Sequence, residues 1–181
     1  MISRVHGSIL QGIDAVACEI EADVTSGTEP EVKLVGMAET AVKESVSRIQ
    51  AALRNSGYRW PGPKVTINLA PADVKKESAA FDLPIALAAM LAGGQFATEK
   101  IDQYLILGEL ALDGRVRPVK GSLATAMLAA KWQAEKGKVK GVIVPADNAA
   151  EAAVVSGIDV IGVRFLSDAV GFLTEALPIE P

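Results

Sequence analysis

The sequence has very few of the residues that build metal and redox sites. Cys18 is its only cysteine and His6 its only histidine. One cysteine cannot form an internal disulfide or a cysteine-rich metal site, and one histidine cannot form a zinc-binding cluster. We therefore expect no metal site in this segment, and the scarcity of cysteine favours a reducing compartment such as the cytoplasm.

Aromatic side chains and net positive charge are scarce as well. Aromatics make up 4% of the residues, and the formal net charge is −4. We therefore expect no base-stacking surface, and nucleic acid would bind only through a local basic patch or a partner domain. The longest apolar run, residues 83–92, is half of the about 20 residues that cross a bilayer, and no signal peptide is visible. A soluble, cytoplasmic protein is expected.

Several catalytic motifs are missing. The phosphate-binding patterns GxxxxGK[ST] and GxGxxG are both absent, so the sequence offers no familiar route to nucleotide binding. A Ser-His-Asp triad would need His6 as its base, and the residue pattern places His6 on the exposed face of a strand.

A Ser-Lys dyad stays open as an alternative. Ser78 follows Lys75 and Lys76 in one loop, and Lys120 precedes Ser122 in another. A serine hydroxyl activated by a lysine amine is a known nucleophilic arrangement, so these two regions hold the candidates for such chemistry.

The most informative stretch is residues 64–89. Apolar and polar side chains alternate over residues 64–69, which predicts a strand with one buried face. A charged loop follows, and then an apolar helix over residues 83–91, with Asp82 at its N-cap position and Pro84 in its first turn. A strand, a loop and a helix N-terminus in this order are typical of functional sites in α/β proteins.

The rest of the chain alternates between strand and helix patterns and has the length of about one domain. Asn148 and Glu151 fit a capping box for a short alanine-rich helix. The other predicted strands are residues 4–9, 16–24, 32–35, 104–112, 115–119, 141–145 and 160–163, and the other predicted helices are residues 38–56, 122–134 and a last helix from 167.

Residues 104–112 are nearly continuous in apolar side chains, which predicts a central strand covered on both faces. Glu109 interrupts this run, and an acid in a buried strand is costly without a partner, so we expect it to meet a donor. A functional role and a structural role for Glu109 both stay open. Asp113 and Gly114 predict a hairpin turn, and Ser122 is expected to cap the next helix.

Two groups of charged residues are more typical of solvated surface than of a binding site. One is the acidic outer face of the second strand, formed by Glu19, Glu21 and Asp23. The other follows the helix over residues 122–134 and consists of Lys131, Lys136, Lys138 and Lys140.

Five motifs along the chain carry a resemblance to a known family. They are ISRVHGSILQGIDA, LVGMAETAVKESVSRIQAALRNSG, INLAPADVKKESAAFDLPIALA, LGELALDGRVRPVKG and VIVPADNAAEAA. The chain is similar over essentially its full length to the N-terminal domain of the magnesium-chelatase-like AAA+ ATPases, a family that includes a competence protein. The resemblance implies a ribosomal-protein-domain-2-like fold, related to the proteolytic domain of Lon and the C-terminal domain of RadA.

The resemblance also implies a role in a larger protein. In the family this domain precedes an ATPase module that binds ATP and magnesium, forms a hexameric ring and, in the competence protein, drives branch migration of DNA. Residues 1–177 would form the domain and residues 178–181 the start of a linker. Partners would be the protein's own ATPase module, further copies of the chain and DNA handled by the assembled protein, with no membrane contact.

The kinship with Lon implies that the chain is not an enzyme. The Lon nucleophile falls on Ala80 and the catalytic lysine on Ala124, and methyl groups supply neither a nucleophile nor a base. A displaced dyad of Ser78 and Lys120 stays open, as does a stand-alone module that binds RNA or protein. Lys75 and Lys76 are the candidate contacts to nucleic acid or a partner, and the motif residues with expected structural roles are Asn68, Asp82, Glu109, Asp113 and Gly114.

Overall fold

The structure is a computed structural model that describes residues 1–37, 39–72, 74, 76 and 79–181; of Glu39 and Val42 it describes the backbone alone. These residues form a mixed α/β architecture, which confirms the predicted class. The strands are β1 (Ile2–Gln11), β2 (Asp14–Thr25), β3 (Glu31–Val35), β4 (Lys64–Ala70), β5 (Tyr104–Ile106), β6 (Glu109–Leu110), β7 (Val116–Arg117), β8 (Gly141–Pro145) and β9 (Asp159–Val163). The helices are α1 (Glu39–Asn55), α2 (Asp82–Ala92), α3 (Ser122–Lys136), α4 (Ala149–Ala152) and α5 (Leu166–Leu173), and short 3-10 turns cover Ala79–Phe81, Ile101–Gln103 and Ala146–Asn148.

Seven strands form one sheet in the order β3, β4, β2, β1, β5, β8, β9. Strands β1, β2 and β4 are antiparallel neighbours, whereas β5, β8 and β9 run parallel to one another and to β1. The β1–β2 hairpin closes at the pair Gln11 and Asp14, and Gly12 in its two-residue turn has φ +66°, which suits glycine. Strands β6 and β7 form a separate small hairpin.

Helix α2 is the central helix of the larger hydrophobic core. Its residues from Asp82 to Ala92 are buried except for Leu91, and it lies across β1 and β2. The alternation predicted for β2 and β4 is confirmed, because Cys18, Ile20, Val65, Ile67 and Leu69 all point into this core. The apolar pattern of these strands and of α2 therefore has one physical cause, burial in a shared layer.

The opposite face of the sheet is only partly covered. A second cluster, which includes Leu105, Ala126, Ala129 and Val142, packs α3 against the parallel strands. Side chains of β1 also meet α3 here, since the rings of His6 and Trp132 contact edge to face at 6.0 Å. The sheet is thus enclosed by helices on both faces near β5 and β8.

The predicted strand over residues 104–112 is wrong in its extent. It is divided into β5 in the main sheet and β6 in the small hairpin, with Leu107 and Gly108 between them. The N–H of Gly108 donates to the carbonyl of Ala80 at 2.9 Å, and the carbonyl of Gly108 accepts the N–H of Leu83 at 2.9 Å. The chain leaves the sheet because these hydrogen bonds attach it to the start of α2.

The predicted caps of α3 and α4 are also wrong. Gly121, with φ +99°, is the residue before α3, and Ser122 makes no capping hydrogen bond. The proposed capping box of Asn148 and Glu151 is not formed at α4; instead, Asn148 Oδ1 accepts the N–H of Val119 at 2.9 Å, and Glu151 Oε1 accepts the N–H of Leu123 at 3.4 Å. The N–H groups of Val119 and Leu123 thus take the side-chain oxygens that would otherwise have capped α4. The predicted helix start at Ala38 lies outside the described residues, and α1 is described from Glu39.

Candidate functional site

The segment between β4 and α2 contains the first position implied by the Lon resemblance. Ala80 lies in the 3-10 turn before α2 and is 6% exposed. Its carbonyl accepts the N–H of Gly108, which links this turn to the connection between β5 and β6. Its side chain is a buried methyl group, which offers no atom for nucleophilic attack.

Lys76 is buried rather than presented to solvent. The residue is 2% exposed, and its ammonium donates to the carbonyl oxygen of Pro71 and, at 2.9 Å, to that of Val74. Loop carbonyls therefore take the place of water around the charge, and the predicted contact of Lys76 to nucleic acid or a partner stays a prediction. Lys75 and Ser78 lie outside the described residues, so the contact at Lys75 and the dyad through Ser78 stay predictions.

Asp82 accepts several hydrogen bonds through its side chain. Its carboxylate is fully buried and accepts Ser45 Oγ at 2.7 Å, Arg48 Nε at 2.6 Å and Nη2 at 3.1 Å, and the N–H of Leu110 at 3.1 Å. These four bonds occupy both carboxylate oxygens. We call Asp82, Ser45, Arg48 and Leu110 the Asp82 clamp; it joins α2 to α1 and β6.

Burial and hydrogen bonding act in opposite directions on the Asp82 carboxyl. Burial raises the pKa of the Asp82 carboxyl, while hydrogen bonds from Arg48, Ser45 and Leu110 act in the opposite direction. The hydrogen bond to Asp82 raises the pKa of the Arg48 guanidinium, which stays charged. Asp82 is therefore not the N-cap that the sequence predicted. It is the first residue of α2, and its side chain holds α2 to α1 and β6. Ser45 and Arg48 are partners that the sequence did not indicate.

Cys18 lies on β2, within the electrostatic reach of Lys76. The thiol is fully buried, and burial raises the pKa of Cys18 to about 11, while the charge of Lys76 opposes part of this rise. A thiol with such a pKa is protonated at neutral pH and hardly nucleophilic. The side chain therefore acts as a small hydrophobic residue of the core.

The start of α3 contains the second position implied by the Lon resemblance. Ala124 is half-buried on the outer side of α3, and Lys120 is exposed. Ser122 is fully buried, and its hydroxyl has no hydrogen-bond partner among the described residues. Thr125 Oγ1 donates to the carbonyl of Gly121 at 2.7 Å and lies 2.6 Å from Ser8 Oγ. The segment thus holds a buried hydroxyl pair and one orphan hydroxyl.

Glu109 lies in the β6–β7 hairpin and is half-buried. The prediction that it lies inside a buried central strand is therefore wrong. Its backbone pairs with Arg117 across the hairpin, and both residues line an open groove of about 860 Å³.

The predicted turn at Asp113 and Gly114 is confirmed. Asp113 Oδ1 accepts the N–H of Arg115 at 3.1 Å, and Gly114 has φ +91°.

Asn68 faces the uncovered side of the sheet. Its Nδ2 donates to Glu21 Oε1 at 3.2 Å, and Arg4 Nε donates to the other oxygen of Glu21 at 3.3 Å. Arg4 also lies 3.8 Å from Glu19. The acidic row of β2 is therefore partly neutralised by its neighbours, as expected for a solvated sheet surface.

In the part of the chain that the structure describes, no three histidine, cysteine or acidic side chains are grouped so that they could hold a metal ion. None of the helices built from these residues combines the length and the hydropathy of a membrane span. The lysines of the predicted basic group are all exposed, and Lys136 Nζ lies 4.4 Å above the ring of Trp132.

Comparison with known proteins identifies relatives over most of the chain. An uncharacterized protein of Mycobacterium tuberculosis is 45% identical over 168 residues, which cover 91% of this chain and 32% of that protein. The uncharacterized protein YifB of Escherichia coli is 40% identical over 156 residues, or 86% of this chain and 29% of YifB. The competence protein ComM of Haemophilus influenzae is 36% identical over 180 residues, or 98% of this chain and 34% of ComM.

The chain therefore spans about a third of the length of these relatives. The family described as subunit ChlI of Mg-chelatase matches residues 20–148, which include the Asp82 clamp and the starts of α2 and α3. The chain belongs to this magnesium-chelatase-like family.

Proposed function

We propose that the chain is a non-catalytic, Lon-like domain of a DNA-acting AAA+ ATPase, of the kind that migrates DNA branches during natural transformation. The observation that supports this most directly is the pair of alanines at the two positions where the resemblance puts the Lon nucleophile and lysine. One methyl group is buried in the turn before α2, and the other lies on the outer side of α3. Neither can take part in acyl transfer.

The larger protein would supply the chemistry. We propose that ATP and magnesium bind to a separate ATPase module, and that the domain covers residues 1–177, has a ribosomal-protein-domain-2-like fold and connects through residues 178–181. The assembled protein would be cytoplasmic, would form a hexameric ring and would act on DNA. Two observations support this proposal: one relative is named as a competence protein, and the relatives are about three times as long as this chain.

The first test is the reading frame of the gene beyond Pro181. A continuing frame with a GxxxxGK[ST] motif supports the proposal, because that loop binds nucleotide phosphates. ATP hydrolysis and migration of branched DNA by the full-length protein would then be measured. A stop codon directly after Pro181 would contradict the proposal and favour a stand-alone module that binds RNA or protein.

A second test addresses the peptidase alternative. Casein and a fluorogenic peptide are incubated with the chain, with Ser78→Ala, with Lys120→Ala and with Ser26→Ala, a matched change at an exposed serine of the β2–β3 loop. We expect no hydrolysis by any of them. Hydrolysis that is lost in Ser78→Ala and in Lys120→Ala, but kept in Ser26→Ala, would overturn the non-catalytic assignment.

A third test asks whether this domain itself touches DNA. Binding to a branched duplex is measured at two salt concentrations for the chain, for Lys75→Glu and for a variant with glutamate at the exposed lysines 131, 136, 138 and 140. Lys33→Glu is the control, because its charge lies on the sheet edge beside Glu31. Salt-sensitive binding that either test variant loses and the control keeps supports a direct DNA role. No binding at either salt concentration favours a role in assembly.

A further inference from the structure

An exposed apolar groove lies between the tip of the β1–β2 hairpin and the outer side of α3. We call it the hairpin–α3 groove; its volume is about 520 Å³, and its lining residues are Ile13, Asp14, Ala15, Ala124, Met127, Leu128 and Lys131. Ile13 is 90% exposed and Met127 60% exposed. Leu10 and Leu123, which are also exposed, extend the apolar surface at the start of α3. Large exposed side chains grouped in this way are typical of an interaction surface.

The sequence of α3 shows why this surface is unusual. The buried face of the helix contains Ser122, Thr125, Ala126 and Ala129, and it packs towards the sheet. A second apolar stripe, at positions 123, 124, 127 and 128, recurs at helical spacing on the opposite side. Leu128 of this stripe packs partly against the second core cluster, while Leu123 and Met127 stay exposed. A helix that is apolar on both faces is usually covered on both, so these exposed side chains need a partner.

The charges of the groove indicate what that partner is. Among the residues that the structure describes, Asp14 and Lys131 are the only charged ones that line the groove, one of each sign, and both are exposed. Within the described residues neither is held in an ion pair. A polyanion would be repelled by Asp14 and a polycation by Lys131, so a partner of uniform charge fits poorly. A second copy related by a two-fold axis that passes between Asp14 and Lys131 would place Asp14 of each copy opposite Lys131 of the other.

We propose that the hairpin–α3 groove is a two-fold docking face for a second copy of this chain. Ile13 and Met127 of each copy fill the groove of the other, and the two pairs of Asp14 and Lys131 fix the orientation. The flexible side chain of Met127 suits such a face, because it adapts its shape to an opposing surface. This inference does not depend on the ATPase assignment, since it concerns the chain alone.

The test is the mass of the 181-residue chain by sedimentation equilibrium from about 1 µM to about 1 mM. We expect a dimer that Met127→Glu weakens by about a hundredfold, because a charge is placed in the apolar contact. The matched control is Val154→Glu, which changes a residue that is 77% exposed beside α4 and outside the groove. It is expected to leave the dimer unchanged.

Charge reversal tests the geometry. Asp14→Lys alone and Lys131→Asp alone place like charges opposite each other, so each is expected to weaken the dimer by about tenfold. An equal mixture of the two variants restores both attractive pairs, and native mass spectrometry is expected to show one-to-one mixed dimers. Repulsion within a single copy would not be relieved by mixing.

Three outcomes overturn the proposal. They are a chain that stays monomeric throughout the concentration range, a dimer that Met127→Glu leaves unchanged, and single variants that fail to pair when they are mixed. If the chain is monomeric and Met127→Glu instead disrupts assembly of a longer protein that contains it, the groove is covered by another part of that protein.

Discussion

The segments that lead into α2 and α3 bury their polar groups in different ways. Before α2 the structure places two buried charges, Lys76 and Asp82, and each is surrounded by hydrogen-bonding partners. At the start of α3 it places neutral hydroxyls: Thr125 contacts Ser8 of β1, while Ser122 contacts no partner among the described residues. The difference follows from the desolvation penalty, which is several times larger for a charge than for a hydroxyl.

The comparison teaches which buried polar groups this fold depends on. A buried charge without partners would destabilise the native state, so the charged residues before α2 come with partners from α1, β6 and the loop itself. A single hydroxyl without a partner costs little enough to be retained. Substitutions in the first segment should therefore have large effects on stability, and substitutions of the orphan hydroxyl small ones.

The largest effect is expected at the Asp82 clamp. Asp82→Ala leaves the partly buried guanidinium of Arg48 without its bidentate partner and the hydroxyl of Ser45 without an acceptor. We expect the free energy of unfolding to fall by about 3 to 5 kcal/mol, as for other broken buried ion pairs. Urea denaturation monitored by circular dichroism measures it.

Asp113→Ala provides the control for this prediction. Asp113 is exposed and pairs with Arg115 of its own turn at 3.3 Å, an arrangement worth less than about 1 kcal/mol. If Asp82→Ala destabilises the protein no more than Asp113→Ala does, the four hydrogen bonds of Asp82 do not hold α1, α2 and β6 together.

A smaller effect is expected at Lys76. Lys76→Met keeps the length of the side chain but leaves the carbonyls of Pro71 and Val74 without their charged donor. Hydrogen bonds to a charged group typically contribute about 1.5 to 3 kcal/mol, and we expect a loss within that range. Lys33→Met, at an exposed lysine, should change the stability by less than about 0.5 kcal/mol. Equal stabilities of the two variants would place the Lys76 ammonium in solvent.

Cys18 provides a pH-dependent measure of the same buried segment. Burial raises the pKa of its thiol to about 11, above the value in the unfolded chain. The contribution of the protonated thiol to the free energy of unfolding is therefore complete below about pH 8.5, and it is lost as the pH rises to 11. Between pH 7 and pH 10, the free energy of unfolding of the native protein should fall by about 2 kcal/mol more than that of Cys18→Ala. Urea denaturation at the two pH values measures both changes.

Burial also raises the pKa of the Tyr104 hydroxyl to about 12, but Tyr104 is present in both proteins and its contribution cancels in the difference. Lys76→Met should enlarge the alkaline loss, since the nearby positive charge lowers the pKa of Cys18. Identical pH profiles for the native protein and Cys18→Ala would show that the thiol is accessible to solvent.

Local patterns in the sequence predicted the parts of the fold whose causes are local. The alternation over β2 and β4 and the apolar run of α2 all reflect burial against one shared core, and their positions were correct to within a few residues. The break between β5 and β6 was missed, because its cause is the hydrogen bonding of Gly108 to residues about 28 positions earlier in the chain. The glycine inside an apolar run was the one available signal for such a close approach.

The candidate site was predicted less completely. Ala80 and Ala124 were identified through motif alignment, and the structure places one in a buried turn and the other on an exposed helix face. The burial of Lys76 could not be predicted, since a lysine in a polar loop carries no pattern that separates a buried ammonium from a solvated one. The clamp was missed for a related reason, because Arg48 and Asp82 are 34 residues apart.

The smallest effect, and the sharpest test of the comparison, is expected at Ser122. Ser122→Ala removes a buried hydroxyl that bonds to no residue described in the structure, so no such interaction is lost and its desolvation penalty disappears. We expect unchanged stability or a gain of up to about 1 kcal/mol. Thr125→Val is the matched variant in the same helix turn, and it should lose about 1 to 2 kcal/mol because it breaks the bonds to Gly121 and Ser8. A loss in Ser122→Ala as large as that in Thr125→Val would mean that Ser122 has a partner, such as a buried water, and that the hydroxyls before α3 are as fully satisfied as the charges before α2.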